Sequence, residues 1–272
     1  MKIAIIGTGI AGNVAAYKLR QGHDVTVYEA GSYVGGHTNT IDVYENGRRI
    51  PVDTGFIVFN DHTYPNFIRL LEEIGQESQL SEMSFSVQSE SDDLEYKGST
   101  LDALFAQRRN ILRPPFYRMV RDILRFNREA ASWADEPDDS ATLGEYLLRH
   151  GYSREFADNY LLPMAAAIWS AEPVSVLEMP TEFLTRFFAN HGLLQLRDRP
   201  KWRVIKGGSR EYVKKLVAGH QDRIRLNSAV RSIRRIGDTV EVASSTGQPE
   251  RFDYVFVACH SDQALAMLND PS

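Results

Sequence analysis

The sequence predicts an α/β protein built on a parallel sheet, with a mainly helical region inserted into it. Three observations predict this class. The apolar run 3–6 is typical of a strand buried on both faces of a parallel sheet. A glycine-rich segment follows it directly, and helical apolar spacing begins there. An alternating run then ends in an acid. Strand, glycine turn, helix and strand in this order form a βαβ unit.

The elements of this first unit follow from local spacing. Apolar residues from 10 to 19 recur with the helical period, which predicts a helix that Gly22 ends. Residues 24–28 alternate and predict the second strand, which finishes at Glu29.

The glycines Gly7, Gly9 and Gly12 form the pattern G-x-G-x-x-G. In such a unit the first glycine permits a tight turn, the second lets a pyrophosphate approach the backbone, and the third lets the helix pack against the strand. Free amides at the start of the helix, around Ile10 and Ala11, favour an anion. The pattern therefore predicts a dinucleotide site.

Glu29 lies 17 residues beyond Gly12, where a carboxylate can accept hydrogen bonds from the adenosine ribose; Ala30 follows it. An acid at this point disfavours a 2′-phosphate, so NADP is not expected. A glycine turn in any α/β fold is the alternative, and the register of strand, helix and acid favours the dinucleotide. Asn13 departs from the apolar residue usual at its helix position, and we expect slightly weaker packing there.

The next segment, "AGSYVGGHTNTIDVYENGRRIPVDTGFIVFN", distinguishes NAD from FAD by resemblance. Its Gly35-Gly36 pair, its hairpin turn at Asn46-Gly47 and its Asp53-Thr54-Gly55 motif resemble the flavoprotein superfamily of amine oxidases, protoporphyrinogen oxidases and phytoene desaturases. "GGHTNT" and "VDTGFIVFN" are most similar to a bacterial subgroup of predicted NAD/FAD-binding proteins, often encoded beside cyclopropane-fatty-acid-synthase-like enzymes. The resemblance is dense over residues 1–75 and returns at 201–265.

The resemblance implies FAD as cofactor and a Rossmann-like FAD-binding domain (the GR2-type flavoprotein fold) interrupted by a mainly helical, partly β substrate domain. It implies a discontinuous FAD-binding domain over 1–75 and 201–272, and an incomplete substrate-domain insertion is expected over 76–200. Relatives continue well past this length, so an N-terminal portion of a longer enzyme, or a natural short form, is expected.

The resemblance also implies roles for individual residues. The three glycines of the turn hold the pyrophosphate and Glu29 the ribose. The remaining implied contacts are Gly35, Gly36 and Thr38 beside the phosphates and ribityl chain, Thr54 and Gly55 near the flavin ring, Val230 at the adenine through its backbone, and Ala258 at the end of a buried strand. His37 stands where many relatives carry Arg; a hydrogen bond to the cofactor and a plain loop histidine are both open.

The late segment predicts a return to the first domain. Ser209 is expected to cap a helix through Leu216. Strands are expected over 224–226, 230–236, 239–243 and 251–257. Cys259 is expected in the core. His260 and Asp262 follow a strand where ligands bind in such sheets, although helix capping by Ser261 or Asp262 is the simpler explanation.

The middle region predicts two strands within residues 79–98 and then aromatic-rich helices whose rings mostly form core. In the second half of this region, "LLPMAAAIWSAEP" is a candidate apolar slot beside Trp169. The helix of "PPFYRMVRDILRFNREA" carries four arginines on one face, namely Arg118, Arg121, Arg125 and Arg128. A solvated helix face explains them better than weak contact with an anionic membrane. "ADEPDDS" reads as an acidic turn with Ser140 or Thr142 capping the next helix.

Composition narrows the function. The formal net charge of −5 argues against nucleic acid as a partner, and the single cysteine excludes an internal disulfide and fits a cytoplasmic protein. No metal-ligand spacing is present, and no catalytic side chain can be assigned. The leading hypothesis is an FAD-dependent oxidoreductase that takes a hydride from an apolar, lipid or fatty-acyl substrate. A flavin amine oxidase, a non-catalytic dinucleotide-binding module and, least favoured, an NAD-dependent dehydrogenase are the alternatives. The sequence leaves the substrate, electron acceptor and oligomeric state open.

Overall fold

The computed structural model describes residues 1–98, 100–133, 141–195 and 200–270, with the side chains of residues 101 and 131–133 left out. The chain forms two compact units. The first comprises Met1–Phe59, Tyr64–Ser81 and Arg203–Ser272, and the second comprises Asn60–Thr63 and Glu82–Trp202.

The strands of the described residues are β1 (Lys2–Ile6), β2 (Asp24–Tyr28), β3 (Thr40–Glu45), β4 (Arg48–Asp53), β5 (Phe59–Asn60), β6 (Ser78–Leu80), β7 (Ser86–Ser89), β8 (Leu94–Lys97), β9 (Trp202–Ile205), β10 (Ile224–Arg225), β11 (Val230–Ile236), β12 (Thr239–Ser244), β13 (Glu250–Phe252) and β14 (Tyr254–Val257). The helices are α1 (Ile10–Leu19), α2 (Pro65–Glu73), α3 (Leu101–Leu104), α4 (Pro114–Trp133), α5 (Leu143–Arg149), α6 (Arg154–Phe156), α7 (Leu162–Trp169), α8 (Pro173–Leu177), α9 (Thr181–Asn190), α10 (Arg210–Val217) and α11 (Ser261–Met267). A π-helical turn, Ala157–Leu161, joins α6 to α7.

A four-stranded parallel sheet organises the first unit, with strand order β10-β2-β1-β14. Ile3 of β1 lies opposite Val25 on one side and Tyr254 on the other. The predicted strand–helix–strand unit is confirmed, because β1, α1 and β2 fall where the apolar spacing placed them. Packing explains this agreement: Ile3, Ile5 and Val27 are buried together under α1.

Two antiparallel elements of the first unit were also predicted. The turn between β3 and β4 is Asn46-Gly47, and both residues have positive φ (50° and 75°), as a two-residue hairpin requires. Strands β11 and β12 pair antiparallel, and β13 completes their sheet.

Two strand predictions were wrong. Residues 251–257 form two strands in different sheets, because Asp253 interrupts them: its amide donates to the Lys2 carbonyl at 2.8 Å and its carboxylate accepts from the Lys2 amide at 2.7 Å. Residues 78–97 hold three strands, since β6 pairs with the distant β9 and only β7 and β8 pair with each other.

One of the helix-capping predictions was confirmed and two were wrong. Thr142 caps α5 and forms a capping box with Glu145, as predicted, whereas the whole of "ADEPDDS", including Ser140, lies outside the described residues. Ser209 does precede α10, but its side chain makes no cap bond; it donates instead to the Phe56 carbonyl at 2.7 Å. The prediction for α11 was also wrong: its N-cap residue is His260, and no side chain caps it.

The second unit is held by aromatic packing, as composition indicated. Five of the aromatic residues expected in its core are fully buried, namely Phe116, Phe126, Tyr146, Phe156 and Phe188. Tyr117 and Phe183 are exposed instead.

Three of the four arginines on the predicted face of α4 are paired with neighbouring groups. Arg118 contacts Glu155, Arg121 contacts Asp122, and Arg125 contacts Glu129 and lies 3.8 Å from the centre of the Tyr152 ring. These ion pairs supply a structural reason for the arginines. Among the helices of the described residues, none combines the length and the apolar character that crossing a membrane requires.

Candidate functional site

One cavity of the first unit, about 1050 Å³, opens at the carboxyl ends of β1, β2 and β14. Its size is at the upper end of the range of about 300–1,000 Å³ typical of small-molecule and cofactor sites. The lining residues are Ile6, Gly7, Thr8, Gly9, Ile10, Ala11, Tyr28, Glu29, Ala30, Gly35, Gly36, His37, Thr38, Phe56, Tyr64, Phe67, Tyr212, Ala229, Val230, Val257, Ala258, Cys259, His260, Gln263, Ala266 and Met267.

The glycine turn between β1 and α1 is closed by backbone contacts. Gly7 has a φ of 100°, and its amide donates to the Tyr28 carbonyl at 2.8 Å. A Cβ on Gly12 would lie 1.9 Å from the Gly7 carbonyl oxygen, so no larger residue fits. Asn13 donates the first helical hydrogen bond, to Gly9, which leaves the amides before it directed toward the cavity.

Gly9 and Gly36 form the floor of the cavity beside this turn. A Cβ on Gly9 would meet no atom within 4 Å, so that side of the turn faces open space. A Cβ on Gly36 would lie 3.0 Å from the Gly9 Cα, so the two backbones are in direct contact. Exposed backbone at a helix N-terminus is the environment that a pyrophosphate requires, and these residues therefore fit a dinucleotide.

The Glu29 carboxylate holds the turn from the end of β2. It accepts hydrogen bonds from the Thr8 amide at 2.9 Å, from the Thr8 hydroxyl and from the Gly31 amide at 2.7 Å. Each carboxylate oxygen has more than one acceptor position, so Glu29 can still accept from a ribose. The structure gives this residue a structural role that the sequence motif did not indicate.

Asn13 also supports the turn, contrary to the small loss of packing expected from it. The side chain is buried, and its amide nitrogen donates to the Thr8 carbonyl at 2.6 Å. Thr8 and Asn13 thus link strand, turn and helix.

The loop after Gly35 passes against the same turn. Thr38 shares a side-chain hydrogen bond with the buried Tyr212 of α10. Gly55 packs on this loop, because a Cβ there would lie 2.0 Å from the His37 carbonyl oxygen. Thr54 donates its hydroxyl to the Asn39 carbonyl at 3.2 Å.

Asp53 explains the acidic motif in structural terms. Its carboxylate accepts from the Thr40 hydroxyl at 2.6 Å and from the amide and hydroxyl of Ser209 at 2.8 and 3.1 Å. The motif therefore fastens the hairpin to the start of α10.

The end of β14 forms the opposite wall. A Cβ on Gly7 would lie 2.6 Å from the Ala258 carbonyl oxygen, so this strand end touches the glycine turn. Cys259 is half-buried and lines the cavity, so its expected place in the core was wrong. Burial raises the pKa of its thiol, which argues against a reactive thiolate.

A group of aromatic rings lines another part of the cavity. Phe67 meets Tyr212 and Phe56 edge-on, each with ring centres 5.3 Å apart. Burial raises the pKa of both Tyr64 and Tyr212, so their hydroxyls stay neutral.

Twelve of the fifteen residues expected at a cofactor line this cavity. Gly12, Thr54 and Gly55 lie behind its wall, in the contacts described above. The sequence missed Thr8, which stands inside the glycine motif, and it offered His260 only as the less favoured of two explanations. It also missed Gln263, Ala266 and Met267, which share one face of α11 at spacings of three and four; that spacing was the available signal.

The fold and the cavity define an α/β protein of the dinucleotide-binding class. The sequence matches the family model of flavin-containing amine oxidoreductases over residues 10–272, and the chain belongs to this family. Flavin is the cofactor of that family, and the predictions of an FAD-dependent oxidoreductase class and of its α/β fold are confirmed at that level.

Relatives agree with this assignment. AofH of Mycobacterium tuberculosis, provisionally named a flavin-containing monoamine oxidase, is 30% identical over 281 residues, covering 99% of this chain and 59% of the relative. Zeta-carotene desaturase of Solanum lycopersicum is 37% identical over 81 residues, which are 29% of this chain and 13% of the relative. The chain thus spans about three fifths of the length of the curated relative that it matches throughout.

Among solved structures, cyclohexylamine oxidase from Brevibacterium oxydans IH-35A superposes with a TM-score of 0.72 at 20% identity, covering 97% of this chain and 62% of that one. At this identity the likeness supports the fold alone.

Proposed function

We propose that the chain is the FAD-binding and substrate-facing portion of an oxidoreductase in which a hydride passes from an apolar substrate carbon to FAD. The observation that carries the proposal is the cavity at the strand ends, where Gly9 and Gly36 present bare backbone at the start of α1. Bound FAD supplies the acceptance of two electrons with a proton, as a hydride.

The protein's own residues position the cofactor in this proposal. The glycine turn holds the pyrophosphate through the first amides of α1, Glu29 accepts from the ribose, and Val230 contacts the adenine. Gly35, Gly36, His37 and Thr38 border the phosphates and ribityl chain, where the cavity passes toward its aromatic part. Gly12, Thr54 and Gly55 lie behind the cavity wall, where they fix the backbone of the segments that line the cavity.

We also propose that residues 1–75 and 201–272 form the FAD-binding domain and that residues 76–200 contribute the substrate domain. The division of the described chain into two compact units supports this arrangement. A cytoplasmic location stays a prediction from the single cysteine.

The apolar substrate is favoured by the cavity lining, where Phe56, Phe67 and Met267 contribute apolar surface and Glu29 is the one carboxylate among the described lining residues. A second candidate, oxidation of an amine, is favoured by the match with AofH over 99% of the chain.

The test begins with the visible absorption spectrum of the purified chain, followed by extraction and identification of its cofactor. Near-stoichiometric FAD, or saturable binding of added FAD, is expected. Anaerobic bleaching of the flavin by unsaturated fatty acids, against bleaching by monoamines and diamines, then separates the substrate classes. Tight NAD binding without FAD binding would contradict the proposal.

A further inference from the structure

Two histidines from separate elements stack at the mouth of the cavity. The rings of His37 and His260 have centres 5.6 Å apart and planes within 4° of parallel. His37 belongs to the loop after Gly36, and His260 follows the end of β14; both line the cavity. The sequence left two interpretations open for His37, and a helix start was the simpler explanation for the segment that carries His260. None of these interpretations includes contact between the two histidines.

Backbone packing holds both histidines beside the glycine turn. Gly36 contacts Gly9, and Gly55 packs closely against the His37 carbonyl. On the other side, the Ala258 carbonyl packs against Gly7, which fixes the strand end that carries His260. The pair therefore stands where the proposed pyrophosphate lies.

The composition of the cavity lining indicates a role for the two histidines. The described lining residues include no Lys and no Arg. A pyrophosphate diester carries two negative charges, and the start of a helix offers about half an elementary charge in return. The two imidazoles are the side chains of the lining that can add a full positive charge.

We propose that His37 and His260 form a protonatable clamp for the FAD pyrophosphate, so that the affinity for FAD rises as the pH falls through the histidine range. This inference rests on the proposed FAD site. Two imidazolium rings with centres 5.6 Å apart repel each other, so the free pair resists full protonation. A bound dianion offsets that repulsion, so binding of FAD is coupled to proton uptake.

The other titratable side chains of the described cavity lining are one carboxylate, four groups that carry a hydroxyl or thiol, and no further cation: Glu29, Tyr28, Tyr64, Tyr212 and Cys259. Asp262 follows His260 by two residues in the sequence. The first turn of α1 contains no acid.

The experiment measures the dissociation constant of FAD by flavin fluorescence from pH 6.2 to 8.5. The lower limit stays above the sequence pI of about 5.8, where the net charge vanishes. Wild type is compared with His37→Gln, His260→Gln, the double variant and His62→Gln. Glutamine keeps a donor without a charge, and His62 is an exposed histidine outside the cavity lining. Circular dichroism at each pH confirms folding.

We expect wild type and His62→Gln to bind FAD roughly fivefold more tightly at pH 6.2 than at 8.5, because protonated imidazoles attract the pyrophosphate. The double variant is expected to bind independently of pH, at the wild-type value of pH 8.5. Riboflavin, which lacks the pyrophosphate, should show no pH dependence with any variant. Calorimetry in buffers of different ionisation enthalpy should show proton uptake with FAD in wild type and in His62→Gln, but not in the double variant.

Two results would overturn the clamp. FAD binding by wild type that is flat with pH refutes it and leaves the FAD site intact. A pH dependence that survives in the double variant assigns the effect to other groups. Absence of FAD binding at every pH refutes the proposed function together with the clamp. This result differs from the two preceding ones, in which FAD still binds.

Discussion

Two neighbouring strands of the parallel sheet, β1 and β14, are built alike and end at the same cavity, yet their surroundings differ. Each is a short apolar run followed by a turn and a helix, α1 or α11, whose residues line the cavity. Ile5 of β1 is 0% exposed, whereas Phe256, its partner in the register, is 44% exposed. Strand β1 is flanked by strands on both sides, and β14 is the edge of the sheet.

The turns after the two strands differ as well. The turn after β1 needs glycine because backbone touches backbone there, while the turn after β14 carries Ala258, Cys259 and His260. Where two backbone segments touch, only glycine fits, and a glycine motif can be recognised in the sequence. A cavity wall made of ordinary side chains has no such motif. The cavity uses both turns, so a motif search finds half of it.

The largest effect in this comparison is expected at Gly12. A Gly12→Ala substitution places a Cβ 1.9 Å from the Gly7 carbonyl oxygen, so strand and helix must separate and the pyrophosphate turn is lost. We expect FAD binding to weaken about 100-fold or more, or ~2.7 kcal/mol, measured by flavin fluorescence.

Gly22→Ala is the matched control for this variant. A Cβ there meets no atom within 4 Å, so both FAD affinity and stability should be retained. Normal FAD binding by Gly12→Ala would show that the turn after β1 is not the pyrophosphate site.

The second effect compares the buried strand with the edge strand directly. Ile5→Ala should lower the free energy of unfolding by about 2–5 kcal/mol, because it opens a cavity in the core. Phe256→Ala should cost less than ~1.5 kcal/mol, since much of its ring is already exposed. Urea denaturation of both variants gives the two values. Equal losses would show that the outer face of β14 is covered in solution.

The sequence predicted the first strand–turn–helix–strand unit to within one residue, because its period, its glycines and its terminal acid are local signals. The late strands of the first unit were misjudged at Asp253, where the chain leaves an antiparallel sheet and enters the parallel one. That exchange depends on pairing between Lys2 and Asp253, which are far apart in sequence. The spacing of apolar residues along the chain does not predict a contact between residues so far apart.

The candidate site, too, was predicted only in part. Residues that the flavoprotein resemblance named were brought together, apart from Gly12, Thr54 and Gly55, which shape its wall from behind. The stacking of His37 on His260 could not be predicted, because it requires two loops to meet in space.

A smaller effect is expected at Glu29, which secures the turn after β1 and has no counterpart after β14. Glu29→Gln removes a charged acceptor from the amides of Thr8 and Gly31. Hydrogen bonds to charged groups contribute about 1.5–3 kcal/mol, so we expect a loss of stability in this range and weaker FAD binding. Thermal unfolding and FAD titration measure the two effects. The exposed Glu72→Gln on α2 is the control and should change neither; a neutral result for Glu29→Gln would remove Glu29 from both roles.

The smallest effect concerns a tyrosine on each side of β1. Burial raises the pKa of Tyr28, which ends β2, to about 12 from 10.0, with Arg225 opposing and Glu250 reinforcing the shift. The unfolded chain therefore loses this proton at lower pH than the folded protein. The resulting stability is complete below pH 10 and is lost as the pH rises toward about 12.

Tyr28→Phe should accordingly reduce the fall of unfolding free energy with pH in that window, by on the order of 1 kcal/mol between pH 10 and 11. Tyr254→Phe, at the start of the edge strand, is the control, because that ring is 58% exposed. Urea titrations at fixed pH values provide the slopes. Identical slopes for both variants would mean that Tyr28 gains as much water as Tyr254 in solution, and the contrast between the interior and the edge of this sheet would then fail.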